Sequence, residues 1–81
     1  MRILLAEDDE LLGDGIKKGL HQQGYVVDWF KDGLSALQAI KTENLDLVIL
    51  DLGLPRMDGL NVLHQMRSEN IKTPVLILTA R

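Results

Sequence analysis

The chain contains no cysteine, two prolines, and one each of tryptophan, tyrosine and phenylalanine among 81 residues. The missing cysteines exclude disulfide frameworks and thiolate metal sites, so a metal here would need oxygen or imidazole ligands. Basic residues are sparse and scattered. Nine Lys and Arg stand against twelve Asp and Glu, the net charge is −3, and the longest basic run is Lys17–Lys18. That balance argues against a nucleic-acid surface within these residues. No apolar run approaches the roughly 20 residues of a membrane span. The short stretch Ile3–Ala6 after Met1-Arg2 is too brief for a secretory signal. A cytoplasmic location without membrane contact is the resulting expectation. The length fits one small domain, which hides only about 60–65% of its unfolded surface.

What the sequence does have is aliphatic residues in a regular order. Apolar residues make up 46% of the chain, and short apolar runs alternate with helical patterns. Ile3–Ala6, Tyr25–Phe30, Leu47–Leu50 and Pro74–Thr79 read as strands. Pro74 stands at the first strand position, where proline is tolerated. Between them lie three helical patterns. The first runs from about Glu10 to Gln23, with Leu12, Ile16 and Leu20 on one face, and Gly24 closes it. The second starts at Asp32-Gly33, turns Leu34, Leu37 and Ile40 inward, and ends near Thr42–Asn44. The third follows a loop over residues 52–58. Its turns are marked by Leu60, Leu63 and Met66–Arg67, with Val62 beside Met66, and it ends at Ser68–Asn70. The order β-α-β-α-β-α-β, with near-continuous apolar strands, predicts an α/β fold around a doubly wound parallel sheet covered on both faces. The last strand, Val75–Leu78, is expected to present an open apolar edge that invites pairing with another chain. The chain is therefore expected to be part of a longer domain.

Two acidic clusters each follow an apolar run. Glu7-Asp8-Asp9-Glu10 comes directly after Ile3–Ala6, and Asp51 directly after Leu47–Leu50. If these runs are neighbouring strands, which lie about 4.8 Å apart, their ends crowd three or more carboxylates into one crevice. Such groups repel, and one would hold a proton unless a cation intervened. A hard cation with oxygen ligands, most naturally Mg²⁺, resolves the conflict. In open parallel sheets ligands bind at the carboxyl ends of the strands. Glu7-Asp8, Asp51 and Thr79 all fall at such ends. The set suits phosphoryl transfer, with a carboxylate as nucleophile.

Each residue also has a plainer role to weigh. Asp9 and Glu10 are simplest as helix-start charges that favour the dipole, and Asp8 suits either role. Asp58 before Gly59-Leu60 is most simply an N-cap. Thr79 serves equally as a β-branched strand residue. Asp51 is harder to explain structurally, because a buried unpaired carboxylate is costly. Gly53 marks a turn where a carbonyl becomes available, and Pro55 stiffens that loop. His21 and His64 have no partner at metal-ligand spacing, and Trp29 needs no functional role.

Glu7-Asp8-Asp9, the stretch Asp51-Leu52-Gly53-Leu54-Pro55-Arg56-Met57-Asp58-Gly59, and Leu78-Thr79-Ala80-Arg81 together resemble the receiver domain of bacterial two-component response regulators. The ending Leu-Thr-Ala-Arg resembles the winged-helix transcription-factor subclass, and the first half is similar to members linked to quorum sensing or polymyxin resistance. The resemblance covers the whole chain and implies the flavodoxin-like receiver fold. Residues 1–81 would be its N-terminal part, with four strands and three helices of a five-stranded domain. It implies Asp51 as phosphoacceptor, and Mg²⁺ held by Glu7, Asp8, Asp51 and the backbone carbonyl of Gly53. Thr79 would hydrogen-bond the phosphoryl group and switch rotamer, and the small Ala80 would leave that group accessible. A sensor histidine kinase would be the donor, and the parent protein would bind DNA through a further C-terminal domain. The chain would then be no general enzyme, catalysing only its own phosphotransfer and dephosphorylation. The family's lysine, aromatic switch residue, fifth strand and last two helices have no counterpart within residues 1–81. Slower or absent phosphorylation, and self-association through the fourth-strand edge, are the expected consequences.

Three other readings compete. Gly13-x-Gly15-x-x-x-Gly19 suggests dinucleotide binding, but the glycines should open the helix directly after the strand. Here four carboxylates intervene. A Mg²⁺-dependent phosphatase with an aspartyl nucleophile would need an acid for its leaving group, and two residues after Asp51 stands Gly53. A non-phosphorylated interaction module that keeps the fold is the third.

Overall fold

The computed structural model describes residues 1–78. Its elements are β1 (Arg2–Ala6), α1 (Glu10–Gln22), β2 (Val26–Phe30), α2 (Gly33–Thr42), β3 (Leu47–Asp51), α3 (Gly59–Ser68) and β4 (Val75–Leu78). The strands form one sheet in the order β2-β1-β3-β4, and every pairing is parallel. The sheet is wound in two directions from β1, as the apolar strands and intervening helices require. Thr79, expected in the last strand, lies outside the described residues.

Strand parity divides the core. Leu4, Ala6, Val48 and Leu50 face α2 and α3, where Ala36, Leu37, Ile40, Val62 and Met66 complete one cluster. Ile3, Leu5, Val27 and Ile49 face the other way, with Ile16 and Leu20 of α1 packed against them. The central strands β1 and β3 are thus covered on both faces.

The helices begin and end where local chemistry dictates. Asp9, Asp32 and Asp58 each cap a helix, accepting a hydrogen bond from the amide three residues on. Such caps satisfy one of the four amides that a helix start leaves unpaired. Past α1, Gly24 takes φ 90°. Its N–H donates to His21 O, and that of Tyr25 to Leu20 O, the paired closure that favours glycine. Asn70, at φ 60°, does the same after α3.

Three expected helix faces shift. Leu12 is 45% exposed, so α1 buries Ile16 and Leu20 but not the start of that stripe. Leu60 is 56% exposed, and α3 buries Val62 and Met66, with Leu63 at the margin. Leu34 is only half-buried, while Ala36 is fully buried. The buried face of each helix is set by the neighbour it packs against, and α2 lies against α3.

Candidate acidic cation and phosphoryl site

The carboxyl ends of β1 and β3 are adjacent. Ala6 pairs with Leu50, so the residues that follow, Glu7 and Asp51, emerge side by side where the sheet order diverges. Carboxylate oxygens of Glu7, Asp8 and Asp51, one from each, lie within 4.8 Å of one another. Glu7 is only 3% exposed and Asp51 9%, whereas Asp8 faces solvent. The sequence-derived cluster is therefore real for these three residues. Asp9 and Glu10 stand apart from it. Asp9 caps α1, and Glu10 forms an ion pair with Lys31.

Burial pushes the Glu7 carboxyl above the ordinary 4.5, and the charges of Asp51 and Asp8 push it further the same way. The Asp9 N–H, donated to Glu7 Oε2 at 3.0 Å, opposes the rise. Three acids crowded together, two of them buried, are a donor set for a hard cation. Among the described residues no buried side-chain polar atom lacks a hydrogen-bond partner, so the unmet demand here is for positive charge.

The loop carrying Asp51 forward is tied down by two glycines. A Cβ on Gly59 would lie 2.3 Å from Asp51 O, and one on Gly33 would lie 1.7 Å from Met57 O. Only glycine allows these approaches. Gly33 N–H donates to Pro55 O at 3.1 Å, and Gly59 N–H to Leu52 O at 3.0 Å. Arg56 adopts φ 69° and reaches Asp32 at 3.8 Å. Gly53 sits exposed in this loop, two positions beyond Asp51.

The family described as "Response regulator receiver domain" matches residues 3–81. The chain belongs to this family. It is a receiver domain of the two-component signalling type, and its relatives are transcriptional response regulators. It is 56% identical over 81 residues to the response regulator protein PmrA of Pseudomonas aeruginosa, covering all of this chain and 37% of that protein. It is 54% identical to the transcriptional regulatory protein QseB of Haemophilus influenzae, with the same coverage. The chain thus spans little more than a third of the length of these curated relatives. Among solved structures, it matches the receiver domain of the sensor histidine kinase PA1611 from Pseudomonas aeruginosa PAO1 with a TM-score of 0.94 and 32% identity. That match covers 99% of this chain and 67% of the other, which holds a magnesium ion coordinated in its active site cleft.

Some of the receiver's supports were not visible in its sequence. Trp29, read as needing no role, donates its indole N–H to the backbone oxygen of Glu7 at 2.8 Å. Gly19 faces open space, whereas a Cβ on Gly13 would fall 2.2 Å from the Trp29 ring. The inward position of Gly13, one turn before Ile16 on the buried side of α1, was the available signal. Thr79, Ala80 and Arg81 lie outside the described residues.

Proposed function

We propose that this receiver accepts a phosphoryl group on Asp51 from the phosphohistidine of a sensor kinase. The observation that carries the reading is the convergence of Glu7, Asp8 and Asp51 within 4.8 Å at the sheet's switch point. Asp51 Oδ attacks phosphorus, the bond from phosphorus to imidazole nitrogen breaks, and the imidazole keeps that electron pair. Glu7 and Asp8 hold Mg²⁺ with Asp51 and the Gly53 carbonyl, and the cation when bound offsets the negative charge that an incoming phosphoryl group brings. Relatedness to a receiver with magnesium in its cleft supports the choice of metal. Leu11 and Leu12, both exposed on α1 just beyond Asp9, offer an apolar shoulder for a docking kinase. Thr79 is proposed to hydrogen-bond the phosphoryl group.

Residues 1–81 correspond to the N-terminal part of the relatives' receiver domain, and the wider protein acts on DNA through a separate domain. The chain catalyses its own phosphotransfer and no general reaction, since Gly53 stands where a phosphatase would place its acid. Among the described residues no helix is long and apolar enough to cross a membrane. The open β4 edge, with Leu76 exposed, supports self-association of this chain. The test of the reading is Mg²⁺-dependent transfer from a purified histidine kinase to the chain. Label on wild type and none on Asp51→Asn supports it, and label on both contradicts it.

A further inference from the structure

We propose that Trp29 is a positioning residue for the cation site, its indole N–H fixing the Glu7 backbone and thereby setting the affinity with which Glu7 and Asp8 take a divalent cation. This inference rests on the Mg²⁺ reading given above. Glu7 is the first residue beyond β1, where the ladder with β2 runs out. Its N–H still reaches Phe30 O at 3.0 Å. Its carbonyl is caught instead by the side chain of Trp29 at 2.8 Å. Both polar groups of the Glu7 backbone are therefore tied to β2, one by main chain and one by indole.

The indole is itself held. Gly13 leaves it room against α1, since any side chain there would overlap Cζ2 and Cε2. Lys31 Nζ lies 5.0 Å from the ring centroid and pairs with Glu10 in the first turn of α1. The ring thus wedges α1 against β2 at the root of the loop that bears the acids. A residue that merely filled this space would need no donor. The aimed N–H matters because three crowded carboxylates push the loop apart, and the tie opposes that push before a cation arrives. Outer partners that orient metal ligands set affinity in this way.

The test compares wild type, Trp29→Phe, and the chain carrying 3-benzothienylalanine at position 29. The last keeps the indole shape and replaces the N–H by sulfur. Mg²⁺ is titrated while the backbone amide NMR shifts of residues 7–9 are followed, and melting is recorded in chelator. Both altered chains should bind Mg²⁺ about 10-fold more weakly, the lower end of the loss seen with outer-shell partners. The benzothienyl chain should melt near wild type. Gly13→Ala, which displaces the ring without touching an acid, should weaken binding similarly. Should Trp29→Phe fail to fold, the benzothienyl chain alone decides. Unchanged Mg²⁺ affinity in that chain would overturn the role of Trp29 while leaving the cation site standing. A wild type whose amides show no saturable Mg²⁺ response would overturn the cation reading and this inference with it.

Discussion

At Glu7, burial and neighbouring charge act in the same direction, against ionisation. Its folded value lies above the ordinary 4.5, so the folded metal-free chain keeps this proton longer than the unfolded one. Stability is then lost as pH rises from the ordinary value through the raised one. Glu7→Gln should therefore raise the melting temperature of the chelator-treated chain at neutral pH, with the gain shrinking toward pH 4. The same variant should lose the stabilisation that Mg²⁺ gives wild type. Thermal melts with and without Mg²⁺ across this range check both, and a lower metal-free melting point at neutral pH would contradict the account. Asp32 behaves oppositely. The Ser35 amide holds its carboxyl below the ordinary 3.8, so its contribution is present above that value and fades as pH falls through the lowered one. Removing the cap with Asp32→Ala should cost about 1 kcal/mol in denaturant unfolding at neutral pH. At this scale Asp51 and the acid cluster were legible, because a carboxylate after four apolar residues has few structural excuses. Trp29 was not. Its partner is a backbone carbonyl just past the end of β1, and no side-chain pattern announces such a bond.

Helices and loops show where glycine is required and where it is only tolerated. Gly59→Ala would set a methyl 2.3 Å from Asp51 O. Overpacking of this kind costs about 1–3 kcal/mol, and here it would also displace Asp51, the proposed phosphoacceptor, so slower phosphorylation should accompany the loss of stability. Gly15 has nothing within 4 Å of an added Cβ, and Gly15→Ala in the middle of α1 should stabilise by about 1 kcal/mol. Paired urea titrations check the contrast, and equal effects from the two substitutions would count against the close approach at Gly59. Element order and types were readable from apolar periodicity, and the helix starts from Asp9, Asp32 and Asp58, of which only Asp58 was expected as a cap. The buried helix faces were less so. In α3, Leu60-Leu63-Arg67 and Val62-Met66 are both plausible stripes at helical spacing, and packing against α2 selects the second.

For the whole molecule, the parallel sheet leaves two unlike edges. The β2 edge carries Asp28, which is paired with Arg2 at 3.0 Å. The β4 edge is aliphatic, and Leu76 is 53% exposed because α1 covers β1 and β2 without reaching that side. Unpaired apolar edges promote association. Sedimentation should show concentration-dependent self-association of this chain, reduced by Leu76→Lys. A monomer at all concentrations would remove that proposal. The parallel architecture was legible because strands covered on both faces have no polar alternation. The open apolar edge at Val75–Leu78 was expected too; that Leu76 is its bare side chain was not, since that depends on how far α1 extends across the sheet.

The central claim is that Asp51 is a Mg²⁺-dependent phosphoacceptor built from the ends of β1 and β3. Intact mass of the chain after incubation with Mg²⁺ and a small acyl-phosphate donor tests it most directly, with Asp51→Asn and a chelator control beside it. The account predicts one phosphoryl adduct that disappears in both controls. An adduct that persists in Asp51→Asn, or that forms equally well in chelator, would contradict it.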